Sequence, residues 1–421
     1  MPELPRDRLA LLTHAARTAG DVVHVQFGTR HFYSVVHPAD IERVLVTNHR
    51  NYPKGPDHAY LKPVIGEGLI TSEGAFHLKH RRAIQPAFHN RRIAAYADAM
   101  TAYATEMLDR WPKGGVIDIA REMTGLTLRI IVRTLFGADV DDESDVLGRA
   151  LAAMWAPAPA PAEGGRTRTM LPGTRRASRE LDEVIYAAIR ERRALGRDTG
   201  DLLSMLLTLG DDASGMPDRQ VRDELMTLFF AGHETIASTL SWAWYLLAAH
   251  PDVEAALHAE LDEVLAGRLP TAGDVPRLRY TTMALAETMR LYPPVWTIAR
   301  RAAADDVVGG YRVPAGVSVI VSPYVTHRDP RFYPDPDHFD PERFHPDHDT
   351  RKRGPRFAYF PFGGGVRQCM GEPFAWMEGT VLLATVAQRY RLRLAPGHPV
   401  EPQAMITLRP KSGVHVTIEA R

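Results

Sequence analysis

The 421-residue chain has a single cysteine, in the stretch Phe-Gly-Gly-Gly-Val-Arg-Gln-Cys-Met-Gly, residues 362–371. Glycines at 363, 364 and 365 carry no side chain to keep a bulky group away from the backbone. The residues that follow read as a helix over roughly 371–390, which puts Cys369 at its N-terminus. There, unpaired N–H groups and the helix dipole favour thiolate over thiol. One soft thiolate per chain suits haem iron better than zinc, which takes several protein ligands. A Gly-rich phosphate loop at a helix start competes with this reading. No Lys-Ser/Thr pair follows the glycines and no dinucleotide-fold spacing is present, which argues against it. A cysteine that merely fills a core gap stays open on this stretch alone.

Other residues with chemistry lie upstream. Glu287 and Arg290, in Glu-Thr-Met-Arg, sit three apart on one helical face, a spacing common on solvated helices. Arg343 of Pro-Glu-Arg-Phe, residues 341–344, is placed to join them in a three-member charge network. Ala231-Gly232-His233-Glu234-Thr235 falls inside a long helical pattern. His-Glu there invites a zinc-protease reading, but the position that needs a second His is Ala237. Thr235 can instead bond back to the Ala231 carbonyl, which tends to bend a helix, while Ala231 and Gly232 leave room beside it for a small ligand. The tract with His327, His338, His345 and His348 is rich in Pro and Asp and reads as an irregular solvated meander rather than a metal site.

The elements that must hold these residues are mainly helical. The clearest helix runs from Pro217, in a favoured first-turn position, to His250-Pro251, roughly 50 Å at 1.5 Å per residue. Helical patterns also cover Ala39–Val46, Ala94–Trp111 and Ile119–Phe136. Paired strands are expected over 22–36 and 307–322, with further strands near 390–395 and 413–420. Pro-Ala-Pro-Ala-Pro-Ala-Glu-Gly-Gly, 157–165, reads as a surface loop or lid. No linker divides the chain, so the expected fold is one mainly α domain, 1–421, with small β-sheets at its edges. Lys plus Arg (51) equals Asp plus Glu (51), so no net field draws the chain to nucleic acid or an anionic membrane. One cysteine permits no internal disulfide, and no apolar run is long enough for a signal or a membrane span. A cytoplasmic protein without membrane attachment is expected.

In this order and spacing, the threonine helix, Glu-x-x-Arg, Pro-Glu-Arg-Phe and Phe-x-x-Gly-x-Arg-x-Cys-x-Gly resemble the cytochrome P-450 superfamily of haem-thiolate monooxygenases. The resemblance covers nearly the whole chain. It implies a P-450 fold with haem between the long distal helix and the proximal cysteine loop. Cys369 would be the axial thiolate, with Phe362 packed near the sulfur. Glu287, Arg290 and Arg343 would fix the proximal core, and Thr235 with Glu234 would deliver protons to dioxygen. Arg367, Arg300 and Arg81 match propionate-binding positions. Relatives carry Trp where this chain has His77, which can donate a similar hydrogen bond but can also titrate near neutral pH. The chain also starts almost directly at its first helix, without the Pro-rich lead of relatives, leaving a shortened start open.

The cofactor implied is haem b, iron protoporphyrin IX, with no flavin or iron–sulfur cluster in this chain. Electrons would then come from a separate ferredoxin-type donor. Arg81, Arg82, Arg91, Arg92 and the run 351–356 offer a basic docking face, although a plain solvated charge run explains 351–356 equally well. Phe229, Phe230, Ala231, Val295, Trp296 and Ile298, with the 54–75 loop and the 157–172 lid, are the expected substrate walls. They suit a hydrophobic small molecule such as a terpenoid, polyketide, macrolactam or fatty acid, oxidised in secondary metabolism by a monomer. Two other readings remain: a peroxide-driven oxygenase, which would usually lack the Glu234-Thr235 pair, and a non-catalytic haem sensor.

Overall fold

The computed structural model describes residues 7–27, 30–55, 61–112, 114–138, 172–196, 198–209 and 216–421. Residues 157–171 of the expected lid, 56–60 of the expected 54–75 loop, and 28–29 of the expected 22–36 strand pair lie outside them. Among the described residues, ten helices of seven or more residues form the body: α1 Arg8–Ala19, α2 Gly74–Ile84, α3 Ala97–Asp109, α4 Ile119–Phe136, α5 Pro172–Leu195, α6 Leu202–Thr208, α7 Asp218–Ala249, α8 Pro251–Leu265, α9 Arg279–Leu291 and α10 Glu372–Arg389. The bounds of α4 have local causes. Asp118 caps its start by accepting from the Ala120 N–H at 3.1 Å, and Gly137 ends it in the left-handed region. The long helix α7 begins one residue later than expected: Pro217 is its N-cap rather than its first turn, and His250-Pro251 stops it.

The edge sheets follow the expected hairpins and add strands that the sequence pattern did not reveal. One sheet has the order β1 (Val22–Phe27), β2 (Arg30–Val35), β7 (Ser318–Val321), β4 (Ile298–Arg301), with β2 and β7 parallel and the other pairs antiparallel. A second joins β3 (Val116–Asp118), β11 (His415–Ala420) and β8 (Tyr390–Leu394). Two small hairpins remain: β5 (Asp306–Val308) with β6 (Tyr311–Val313), and β9 (Pro402–Ala404) with β10 (Leu408–Pro410). No described helix is long and apolar enough to cross a membrane.

Apolar packing places α7 at the centre. On one side it shares a core with α3, α4, α8, α9 and α10; on the other, its Phe229 and Phe230 pack with α4, α5 and α6. Trp242 of α7 is fully buried and stacks on Tyr292, with ring centroids 3.9 Å apart. Such a ring removes on the order of 150–250 Å² from water, which makes it a strong anchor. In the meander at 327–349, His338 and His348 are exposed and His345 half-buried, in line with the solvated reading, but His327 is fully buried, and its Nε2 accepts from the Phe360 N–H at 2.9 Å. Burial and the nearby Arg290 and Arg328 hold that imidazole down at about 3, so it is neutral. No metal-binding cluster occurs among the described residues.

Candidate active site

The cysteine loop is held from both sides. The Cys369 N–H donates to the Phe362 carbonyl at 2.9 Å, closing the loop on itself, and the Phe362 ring lies against Trp376 of α10. Gly365 has a φ of +68°, and a Cβ there would fall 2.2 Å from the Leu45 carbonyl oxygen; one at Gly364 would fall 2.4 Å from the Phe357 ring. These two glycines thus serve the packing of the loop against its own protein, a different reason from the expected clearance for a cofactor. The Cys369 side chain is accessible, yet surrounding protein pushes its thiol up to about 11. A residue that solvent reaches yet protein surrounds is desolvated without being packed over. The N–H groups of Gly371 and Glu372, and the Arg81 charge, favour the thiolate but do not outweigh burial. The helix start favours the thiolate, as the sequence suggests, but burial outweighs it, and a cation at the sulfur would supply the rest.

Opposite lies α7. From Val221 to Trp244 every residue is buried except Leu228, Ala231, Gly232 and Thr235. The spacing i, i+3, i+4, i+7 puts these four on one face, a partly exposed stripe on an otherwise buried stretch, narrowed at Gly232, where a Cβ would fall 2.8 Å from Ile131 of α4. Thr235 Oγ1 donates to the Ala231 carbonyl at 2.8 Å, the back-bond expected from the sequence, which leaves its oxygen able to accept. Glu234 turns away from the stripe. Its Oε1 accepts from Thr407 Oγ1 at 2.7 Å, its Oε2 is buried with no partner among the described residues, and burial pushes its carboxyl up to about 7.

A third wall is cationic. Arg300, on β4, is buried; its guanidinium bonds only the Ala299 carbonyl (2.9 Å) and is in ion-pair reach of no carboxylate among the described residues. Burial and the Arg367 charge lower it to about 10. Arg367 donates to the Ser72 carbonyl at 2.8 Å and to Glu73 at 2.5 Å. His77, on α2, is buried and lowered to about 3 by desolvation and by Arg367, Lys54 and Arg81, so it does not titrate near neutral pH as its type allowed. Lys54, absent from the sequence reading, donates to the Leu69 carbonyl at 3.1 Å and to that of Ile70, and is pushed down to about 7 by burial and Arg367. Four cationic side chains and one imidazole thus converge with Glu73 as the near carboxylate. Such a cluster calls for anionic groups. Two carboxylates on a flat macrocycle, with iron at the thiol, fit this donor set.

The cytochrome P450 family model matches residues 2–417. The chain belongs to the cytochrome P450 family. This P450 is 41% identical to cyclooctatin synthase of Streptomyces melanosporofaciens over 92% of its own length and 86% of the relative's. It is 39% identical to cyclooctat-9-en-7-ol 5-monooxygenase of the same organism, over 90% and 84%. The crystal structure of the cytochrome P450DA heme domain superposes with a TM-score of 0.89 at 27% identity, covering 99% of this chain and 93% of that one. The protein is accordingly a P450 monooxygenase of haem-iron type, which uses dioxygen, a hydrophobic substrate and a redox partner.

The charge network of this P450 forms as its motifs suggested. Arg290 binds Glu287 through two contacts of 2.6 and 2.7 Å, both side chains wholly buried, and Arg343 approaches Glu287 at 3.4 Å. Several expected pocket walls belong elsewhere. Phe229 and Phe230 are core residues, and Trp296 is drawn into a separate cluster with Leu9, Leu12 and Leu408, its Nε1 donating to the Met405 carbonyl at 3.0 Å. Large rings such as those of Phe229, Phe230 and Trp296 gain most by full burial, so the small residues are left partly exposed on α7. Val295 remains exposed, and Ile298 reaches toward Gly363 of the cysteine loop. Arg81 is half-buried beside Cys369, which removes it from the expected docking face; Arg82 and Arg91 stay exposed. In the 351–356 run, Arg351 pairs with Asp349 and Arg356 with Glu42.

Proposed function

We propose that this P450 hydroxylates or epoxidises a cyclic, largely hydrocarbon substrate of terpenoid type, with haem b bound by Cys369. The relatives named for cyclooctatin and cyclooctat-9-en-7-ol support this substrate class. The observation that carries the reading is the pairing of a desolvated but accessible thiol with the partly exposed stripe of α7. Haem iron with a thiolate ligand supplies the activation of dioxygen, one oxygen atom entering the substrate and the other leaving as water with two electrons and two protons. Lys54, Arg81, Arg300 and Arg367 hold the propionates, and His77 donates a hydrogen bond as a neutral ring. Thr235 accepts a hydrogen bond at the stripe, and Glu234, poised near neutral pH, passes protons inward. The two electrons come from a ferredoxin-type protein docking near Arg82 and Arg91, and the enzyme works as a monomer in the cytoplasm.

The test is spectroscopic. The reduced, carbon-monoxide-bound protein should show the strongly red-shifted Soret band of thiolate ligation, and Cys369→Ala should abolish it; a band that survives the substitution refutes the ligand assignment. Polycyclic olefins and their alcohols should shift the resting haem spectrum at micromolar concentration. A shift with long-chain fatty acids and none with the polycycles would overturn the substrate class.

A further inference from the structure

The β9–β10 hairpin is fastened to α7 by three residues one turn apart. Glu234 binds Thr407, while Ser238 Oγ and Trp242 Nε1 both donate to the Leu408 carbonyl, at 2.5 and 2.9 Å. The Leu408 N–H donates to the Pro294 carbonyl at 2.9 Å, and Trp296 holds Met405, so the turn at 405–407 is fixed from two further directions. Within that turn, neighbours point opposite ways: Ile406 is 39% exposed and Thr407 only 2%. Thr407 is therefore an immobile hydroxyl whose visible task is the Glu234 carboxyl.

We propose that Thr407 is a positioning residue for Glu234: its hydroxyl pins Oε1 against the hairpin turn and leaves Oε2 as the one oxygen that exchanges protons. This rests on the reading of Glu234 as the proton carrier. A carboxyl free to rotate presents either oxygen in any direction, and a proton handed on from it has no fixed origin. With Oε1 held at 2.7 Å, the buried and unpartnered Oε2 has one location. The surroundings add little competition. Arg409 of β10 is the charge that acts on the carboxyl, with its Nε 3.3 Å from Gln403. The adjacent His233 faces the Thr124 carbonyl on α4 at 3.1 Å and is held neutral by burial.

The Thr407 donor favours the ionised carboxylate, so losing it should raise the proton affinity of Glu234 about tenfold, or roughly one pH unit. The haem-loaded enzyme is titrated by difference infrared spectroscopy, with the Glu234 carbonyl band identified by its disappearance in Glu234→Gln. In Thr407→Val, similar in shape but without the hydroxyl, the band should change frequency and titrate about one unit higher; Thr407→Ser should restore both. The pH limb of product coupling should move with it, which a loss of packing alone would not cause. Thr407→Ala serves should the valine variant load haem poorly. A band that titrates in Thr407→Val as in the parent overturns the proposal. Unchanged coupling in Glu234→Gln would instead sink the proton-carrier reading, and the infrared band would still decide whether Thr407 holds the carboxyl.

Discussion

Arg290→Lys keeps the charge of the buried network and removes its geometry. A guanidinium has five N–H donors. Arg290 spends all five: two on Glu287, two from Nη1 on the carbonyls of His327 (2.8 Å) and Pro336 (2.6 Å), and one on that of His338 (3.0 Å). It thereby ties α9 to three points of the meander that leads to the cysteine loop. An ammonium has three donors, so two bonds are lost; Glu287 Oε1 keeps the Asp340 N–H, and at least one buried carbonyl is left without a partner, at a cost of about 1–3 kcal/mol. The contact of the guanidinium with the Tyr333 ring, 5.1 Å from its centroid, is lost as well. Denaturant titration of the haem-loaded variant should show that loss with an unchanged slope. The position of the carbon-monoxide band should stay put, because the network does not touch the sulfur. A loss under about 1 kcal/mol would refute the reasoning, since it would mean that the orphaned carbonyls find other donors.

Other substitutions probe other walls. Gly365→Ala must place a Cβ 2.2 Å from the Leu45 oxygen at a φ of +68°; a cost of about 2 kcal/mol or more, seen as poor haem loading and a lowered denaturation midpoint, is expected. Lys54→Met removes a charge-assisted donor from the propionate wall and should speed haem transfer to an acceptor protein about tenfold or more, against no change if the lysine faces only the loop. Glu234 has its carboxyl raised from the ordinary 4.5 to about 7, so between those values the folded state holds more protons than the unfolded one and stability falls as pH rises. Glu234→Gln should remove that part of the slope, read as the difference from the parent in denaturation at pH 5 and pH 7.

The motifs that were legible in the sequence are those whose chemistry is local. Cys369 with its glycines, and Glu287 with Arg290, lie within one loop or one helical turn, and the bounds of α4 are written in Asp118 and Gly137. Arg343 joined the network as its place in the meander suggested. What escaped reading depends on contacts between distant segments. Lys54 looks like a loop lysine until folding brings it beside Arg367 and Arg300. The β9–β10 strands have three residues each and start or end in Pro402 and Pro410, too short and too broken for a period-two signal. Phe229 and Phe230 were misplaced because α7 is apolar almost all round, and periodicity cannot choose a pocket face on such a helix. The accessible stripe was visible only as smallness, in Ala231 and Gly232.

The haem-binding walls come from opposite ends of the chain. Lys54, His77 and Arg81 leave the ribosome early, whereas Cys369 follows about 290 residues after Arg81 and its loop must then seat against Leu45. At about 5–20 residues per second, Lys54, His77 and Arg81 wait roughly 15–60 s for Cys369 and for Arg367 two residues before it. On the proposed reading, haem can be captured only near the end of synthesis, and until then Glu73 is the carboxylate that stands beside Lys54.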